Sequence, residues 1–188
     1  ANLKTYVKIG DRSVVREGST LNRATREGFA TSVGKECFLM AVTHLGHDCA
    51  VGDRVVIGNN SLLAGFVSVG NDAFLGGASG VHQFCRIGTG VMFGGDSTAT
   101  VDVPPYTMLA ERNNLFGLNL VGLLRRGHSR EAIKALKECY TSLYSSRVNL
   151  RKFAAELLNS EFGKIEECRT FLGFFAEGSR GFAHQRKR

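Results

Sequence analysis

Three of the five histidines in this 188-residue chain fall in two short runs, His44-Leu-Gly-His47-Asp48 and His82-Gln83. Imidazole is the side chain whose ordinary pKa lets it take up and return a proton near neutral pH. A carboxylate beside it, as Asp48 is beside His47, can hold one ring nitrogen and leave the other free to deprotonate an alcohol or an amine. Gly65 has no side chain to shield its amide, which could therefore meet a developing oxyanion. Each residue also has a plainer reading: corner histidines are often only solvated, Asp48 could cap a turn, and glycine is common in turns.

Other chemistries find less support. No serine lies in a GxSxG run, and no glycine loop of the phosphate-binding kind is present. Cys49 and Cys85 occupy small inward positions of the repeat described below, which suits inert buried thiols. His44, His47 and His82 lack a carboxylate or thiolate arm to complete a metal site, so neither metal nor cofactor is expected. Arg125, Arg126, Arg130, Lys134 and Lys137 cluster near the start of a helix, as a solvated face or as a dock for an anion.

What must position these residues is a six-residue period. Counting in sixes from Val33 gives Leu39, Leu45, Val51, Ile57, Leu63, Val69, Leu75, Val81, Ile87, Phe93 and Ala99, every one apolar. Counting backwards gives Glu27, Leu21, Val15 and Ile9, so only Glu27 breaks the series, inside Arg23–Ala30, which reads as an excursion loop. The fifth place of each hexad is small or β-branched, from Ser13 to Ser97. This period fits neither a helix nor a two-sided strand, but it fits short strands joined by tight corners, with one large and one small side chain turned inwards. Three hexads make a triangular coil of 18 residues, and residues 9–103 supply about five coils. Residues 18 apart should then stack, which puts the hexads starting at Leu45, Leu63 and Val81 on one edge with His44, His47 and His82.

The expected class is mainly β: a parallel β-helix over residues 1–110, then a small α-helical domain over 111–188. After Pro104 and Pro105 the period gives way to helical spacing at Ile133, Leu136, Tyr140, Leu143 and Tyr144, with Ser129 as N-cap. Leu150–Leu158 and Ile165–Phe175 repeat that spacing, and the basic tail Gly181–Arg188 should fray. The formal charge of +7 is uneven: residues 1–110 carry nine Lys/Arg against nine Asp/Glu, and residues 111–188 carry fifteen against eight. A basic C-terminal region would attract an anionic partner. Five cysteines with no CxxC pair suggest reduced thiols and a cytoplasmic setting, and no apolar run is long enough to cross a membrane.

Several runs carry a family likeness. His44-Leu-Gly-His47-Asp-Cys-Ala-Val-Gly52, Leu63-Ala-Gly65, Val81-His-Gln-Phe-Cys85, Asp102-Val-Pro-Pro-Tyr106, Phe116-Gly-Leu-Asn119 and Gly122-Leu-Leu-Arg-Arg-Gly127 resemble the UDP-N-acetylglucosamine acyltransferases that begin lipid A synthesis. Phe174-Phe-Ala-Glu-Gly-Ser-Arg-Gly181 is similar to that family's C-terminus. The resemblance implies a homotrimer of left-handed β-helices. It also implies transfer of an R-3-hydroxyacyl group from acyl carrier protein to the 3-hydroxyl of UDP-N-acetylglucosamine, with no nucleic-acid partner. Carried over by residue, His47 matches the general base, Asp48 its orienting partner and Gly65 the oxyanion amide. His44, His82 and Gln83 match substrate contacts, Asn119 and Arg125 lie near the nucleotide, and Arg126 serves phosphate or carrier protein. Phe66 stands at a further substrate position where the family has a histidine, and Val121 where it has a glutamate. The family's N-terminal coils and Asp-Leu-Lys-Tyr loop have no clear counterpart here. The competing readings are another hexapeptide acyltransferase, using a different nucleotide sugar or an acyl-CoA, and a non-catalytic β-helix paralogue.

Overall fold

The computed structural model describes residues 2–146 and 148–186. The hexads form two-residue strands that wind into three parallel sheets, beginning at Tyr6–Ile9, Val14–Val15 and Thr20–Leu21. Each strand pairs with the one a full coil later. Leu45 is opposite Leu63 and Leu63 opposite Val81, as the spacing of 18 requires. The first coil is longer: Val14 pairs with Phe38 and Thr20 with His44, 24 residues on, because residues 22–29 leave the coil as the excursion loop. The coils form a left-handed parallel β-helix.

The inward positions make the core. From Val33 to Ala99 every first-place side chain is 0–4% exposed, each burial being worth about 1.5–3 kcal/mol for the larger residues. The fifth-place residues Cys37 to Ser97 are equally buried, and the thiols of Cys37 and Cys49 and the hydroxyls of Ser61, Ser79 and Ser97 turn onto backbone carbonyls, as Ser61 does onto Gly76 at 2.9 Å. On the outermost coil the same positions are open, Ile9 at 48% and Val15 at 38%. Corners are made by residues with positive φ at every sixth position, among them Val42, Asp48, Arg54, Asn60, Phe66, Asp72 and Phe84. The left-handed region is costly for side-chain-bearing residues, so these corners hold only because the hydrogen-bonded strands on both sides fix them.

The β-helix ends in a hairpin. Thr107–Ala110 runs parallel to Met92–Phe93, and Asn114–Leu118 returns antiparallel beside it. The sheet therefore passes the division drawn after residue 110 and continues to Leu118 before the helices begin. Among the described residues four α-helices follow, α1 (Leu120–Arg125), α2 (Arg130–Ser145), α3 (Leu150–Leu158) and α4 (Glu166–Gly173). Ser129 caps α2 as expected, its hydroxyl accepting from the Ala132 amide at 3.0 Å, and Ile133, Leu136, Tyr140 and Leu143 are buried. Helix α1 was not expected from the spacing, because six residues with only Leu123 buried leave no periodic stripe. No described helix is long and apolar enough to cross a membrane.

The expectation of a frayed tail is corrected. His184–Gln185 pairs with Asn114–Leu115 as an added strand, and Phe182 bridges Asp102. Charge and a terminal position pointed to fraying, but Ala183 is fully buried and its carbonyl accepts from the Tyr144 hydroxyl. Lys187 and Arg188 lie outside the described residues.

Candidate active site

His44 opens the strand His44–Leu45 of the third sheet, and the chain then turns through Gly46, His47 and Asp48 into the first sheet at Ala50. The next two coils turn at the same edge through Gly65 with Phe66 and through His82 with Gln83. One edge of the prism therefore collects His44, His47, Asp48, Gly65, Phe66, His82 and Gln83. A cleft of about 560 Å³ opens there, walled by His44, Gly46, His47, Gly65 and, from the excursion loop, Asn22 to Thr25.

His47 and Asp48 are arranged for proton transfer. The imidazole Nδ1 lies 2.9 Å from Oδ2 of Asp48, whose side chain is only 4% exposed while that of His47 is 40% exposed. Thr25 adds its hydroxyl at 2.6 Å and its amide at 3.1 Å to the same oxygen. Burial works against the charge of Asp48, yet the bonds from Thr25 and His47 prevail and hold the carboxyl below its ordinary value. An ionised carboxylate only accepts hydrogen bonds, so Nδ1 carries the hydrogen and Nε2 keeps its lone pair.

Gly65 lies directly against the face of that ring. A Cβ built on Gly65 would sit 2.6 Å from Cε1 and 2.7 Å from Nε2 of His47, so only glycine leaves room for the ring. Among the described residues no oxygen of the chain accepts the Gly65 amide hydrogen. The neighbouring corner shows the contrast. There, at the same place in the hexad, the Lys35 amide donates to Asp53 and the Asp53 amide to Asn71, at 2.8 and 2.9 Å. One coil on from Gly65 that place is held by Gln83, and among the described residues its side chain makes no such bond to the Gly65 amide. Gly46 keeps the approach open, since a Cβ there would lie 2.7 Å from the Gly65 nitrogen. A proton acceptor and an unused amide donor thus face one cleft.

The other side chains of the edge are ordered by their neighbours. His44 Nδ1 is 2.8 Å from the Thr20 hydroxyl. Phe66 packs edge-on to the His47 ring, centroids 5.2 Å apart, and stacks on Phe84 at 4.9 Å, so that an apolar wall flanks the imidazole. The guanidinium of Arg26 lies over Phe29 at 4.1 Å and reaches Phe66 at 5.9 Å. Thr20 and Thr25 were not singled out from the sequence as site residues. Thr25 could not have been, because its role depends on the excursion loop folding back over the corner.

Asn119, Arg125 and Arg126 are not on this edge. They line a second cavity of about 780 Å³ with Phe74, Met92, Met108 and Val121, on the face of the second sheet, opposite the His47 edge. The Asn119 side chain is engaged: it accepts from the Gly122 amide at 2.9 Å as the cap of α1 and donates to the Gly90 carbonyl at 3.0 Å. Arg126 clasps α1 to the coil through the Asp72 carbonyl and carboxylate. Arg125 is exposed.

Residues 102–183 match the family described as UDP-N-acetylglucosamine O-acyltransferase, domain 2, and residues 30–65 match bacterial transferase hexapeptide repeats. The acyl-[acyl-carrier-protein]–UDP-N-acetylglucosamine O-acyltransferase of Thiobacillus denitrificans is 42% identical over 179 residues, 94% of this chain and 69% of that protein. Its namesake from Aliivibrio fischeri is 39% identical over 180 residues, 94% of this chain and 68% of that one. The chain belongs to the UDP-N-acetylglucosamine O-acyltransferase family. Its structure also superposes on solved members. The UDP-N-acetylglucosamine acyltransferase from Campylobacter jejuni gives a TM-score of 0.87 at 33% identity, covering 96% of this chain and 71% of that one. The Arabidopsis UDP-N-acetylglucosamine acyltransferase gives 0.89 at 33%, covering 95% and 66%. The chain spans about two thirds of the length of these members of the acyltransferase family.

The close fit of His47 over Gly65 yields a test. In Gly65→Ala the half-exposed imidazole can swing away from the added methyl, so the coil should survive while the base leaves its place. Misplacement of about 1 Å can cost on the order of a hundredfold. Turnover is expected to fall by about that much with the thermal midpoint nearly unchanged, and turnover within about threefold of wild type contradicts the placement of His47.

Proposed function

We propose that the protein transfers an R-3-hydroxyacyl group from acyl carrier protein to the 3-hydroxyl of UDP-N-acetylglucosamine, the first step of lipid A synthesis. The observation that carries this reading is the free Nε2 of His47, held by Asp48, beside the unused amide of Gly65. The membership of the family supplies the substrates. In this mechanism Nε2 takes the proton of the sugar hydroxyl as the oxygen attacks the thioester carbonyl. The carbonyl oxygen, now anionic, is received by the Gly65 amide, and the imidazolium returns its proton to the departing thiolate. Asp48 stabilises the imidazolium in between. A positioned base contributes about 10²–10⁴-fold, and one oxyanion donor about 10²–10³-fold.

The basic C-terminal region suits an acidic carrier protein, and Arg125, an exposed cation of the second cavity, suits the anionic end of a nucleotide sugar. Phe66 gives the acceptor an apolar wall beside the base where the family places a histidine. His44, His82 and Gln83 line the remaining substrate edge. We place the enzyme in the cytoplasm, where its carrier-bound substrate is made.

The two halves of the site lie on opposite faces of one chain, so one substrate that touches both His47 and Arg125 needs two copies. A homotrimer, in which the His47 edge of each subunit meets the second cavity of the next, satisfies this. The flat sheets, with Leu62 and Met92 exposed, offer the surface for it.

Purified protein supplied with R-3-hydroxymyristoyl carrier protein and UDP-N-acetylglucosamine should form the 3-O-acyl product. His47→Ala should lower turnover about a hundredfold or more, and Asp48→Asn by less, since the imidazole remains. Product from an acyl-CoA but not from the carrier protein contradicts the donor, and full activity in His47→Ala contradicts the mechanism. Light scattering should give the mass of three subunits. Co-expression of His47→Ala with Arg125→Glu should restore activity that neither variant has alone, and activity no higher than in either variant contradicts sharing of the site.

A further inference from the structure

The end of the chain folds back across the β-helix and reaches the His47 edge from outside. Arg86 holds it there. Its Nε donates to Oδ2 of the fully buried Asp102 at 2.8 Å, and an Nη donates to the carbonyls of Phe174 and Glu177 at 2.9 and 2.7 Å. The same guanidinium lies over the Phe174 ring at 4.1 Å. Asp102 then fixes the next residues by backbone bonds, its amide donating to Gly181 at 2.9 Å and its carbonyl accepting from Ala183 at 2.8 Å. Gly178, at φ +89°, passes so close that a Cβ would collide with the Asp102 carboxylate and Arg86. A buried ion pair and two ladder bonds therefore hold residues 174–183 in one path.

That path delivers Arg180 to His82. An Nη of Arg180 is in hydrogen-bond contact with Nδ1 of His82, and the Arg180 Nε is buried with no partner in the chain. Burial pushes the Cys85 thiol up to about 11, so Cys85 offers no charge to compete for the guanidinium. Among the described residues no carboxylate pairs with Arg180. A guanidinium has only N–H donors, so the Nδ1 it meets must be a lone pair. The Gln83 carbonyl, 3.3 Å from the same nitrogen, then cannot be receiving a hydrogen from it.

We propose that Arg180 is a positioning residue for His82: by donating to Nδ1 it puts the ring hydrogen on Nε2, where it serves as a fixed donor to the substrate. The inference rests on the acyltransferase reading, in which His82 is a substrate contact. It gives the C-terminal segment a part in the site. Arg86 and Asp102 anchor the segment, Arg180 transmits its position, and His82 presents the result.

The test is the tautomer of His82, read by ¹⁵N and ¹³C NMR on histidine-labelled protein without substrate, with His82→Gln used to assign the signals. Wild type should show an unprotonated Nδ1 and a hydrogen on Nε2, and Arg180→Ala a mixture of both tautomers. Arg180→Lys, which keeps a cationic donor, should move the signals back towards wild type. Catalytic efficiency should fall about tenfold in Arg180→Ala, the cost of one hydrogen bond to a charged donor, and recover in part in Arg180→Lys. If Arg180→Ala does not fold, Arg180→Gln is expected to give the same mixed spectrum. A hydrogen on Nδ1 in wild type, or a spectrum unchanged by loss of the guanidinium, overturns the proposal. Because no substrate enters the NMR experiment, an inactive protein with the expected tautomer counts against the acyltransferase reading alone.

Discussion

The site depends on one constraint, the vertical register of the coils. Parallel strands pair at a spacing of about 4.8 Å, and the register of 18 residues per coil fixes which side chain lies above which. His47 can rest on Gly65 only because the turn holding Gly65 is the next step of the same edge. Its ring takes the space that a side chain on the following coil would otherwise fill. His47, the bare amide of Gly65 and His82 are thereby brought together from residues 18 and 35 apart without any flexible loop between them.

The stacking also explains why the site divides. Three sheets face three directions, so residues on the second sheet cannot join an edge formed by the third and first sheets of the same chain. The His47 edge holds the imidazole, its carboxylate partner and the unused amide, and the cavity with Arg125 holds exposed apolar surface and positive charge. Asp48 links fold and chemistry at the edge. Its carboxyl titrates below its ordinary value, so its ionised form adds stability above the unfolded value of about 3.9. That contribution is lost as the pH falls through the lower folded value. Acid therefore loosens the excursion loop and the base together, since Thr25 and His47 share one carboxylate.

Much of this was legible in the sequence, for identifiable reasons. The hexapeptide period is a direct imprint of inward-facing positions, so it gave the coils, the phase of the core from Val33 to Ala99, and the stacking of the histidine hexads. The Asp48–His47 pair was legible because the two residues are adjacent. What stayed hidden depends on chain segments that return from elsewhere: Thr25 from an excursion with no period, and Arg180 from a stretch beyond the helical spacing, just before the tail whose charge pointed to fraying. Asn119 and Arg126 show the opposite effect, for the resemblance marked them as substrate contacts while their side chains also cap α1 and clasp it to Asp72. Composition cannot separate such double use, because the same polar atoms would appear in either role.

The central claim is that His47 Nε2 is the base that meets the acceptor oxygen while the Gly65 amide meets the acyl carbonyl. A crystal structure with the 3-O-acylated sugar nucleotide bound tests it most directly. The account predicts the acylated oxygen within about 3.2 Å of His47 Nε2 and the acyl carbonyl oxygen about 2.7–3.1 Å from the Gly65 nitrogen. A product whose ester lies away from this edge, with either distance well outside hydrogen-bonding range, would contradict it.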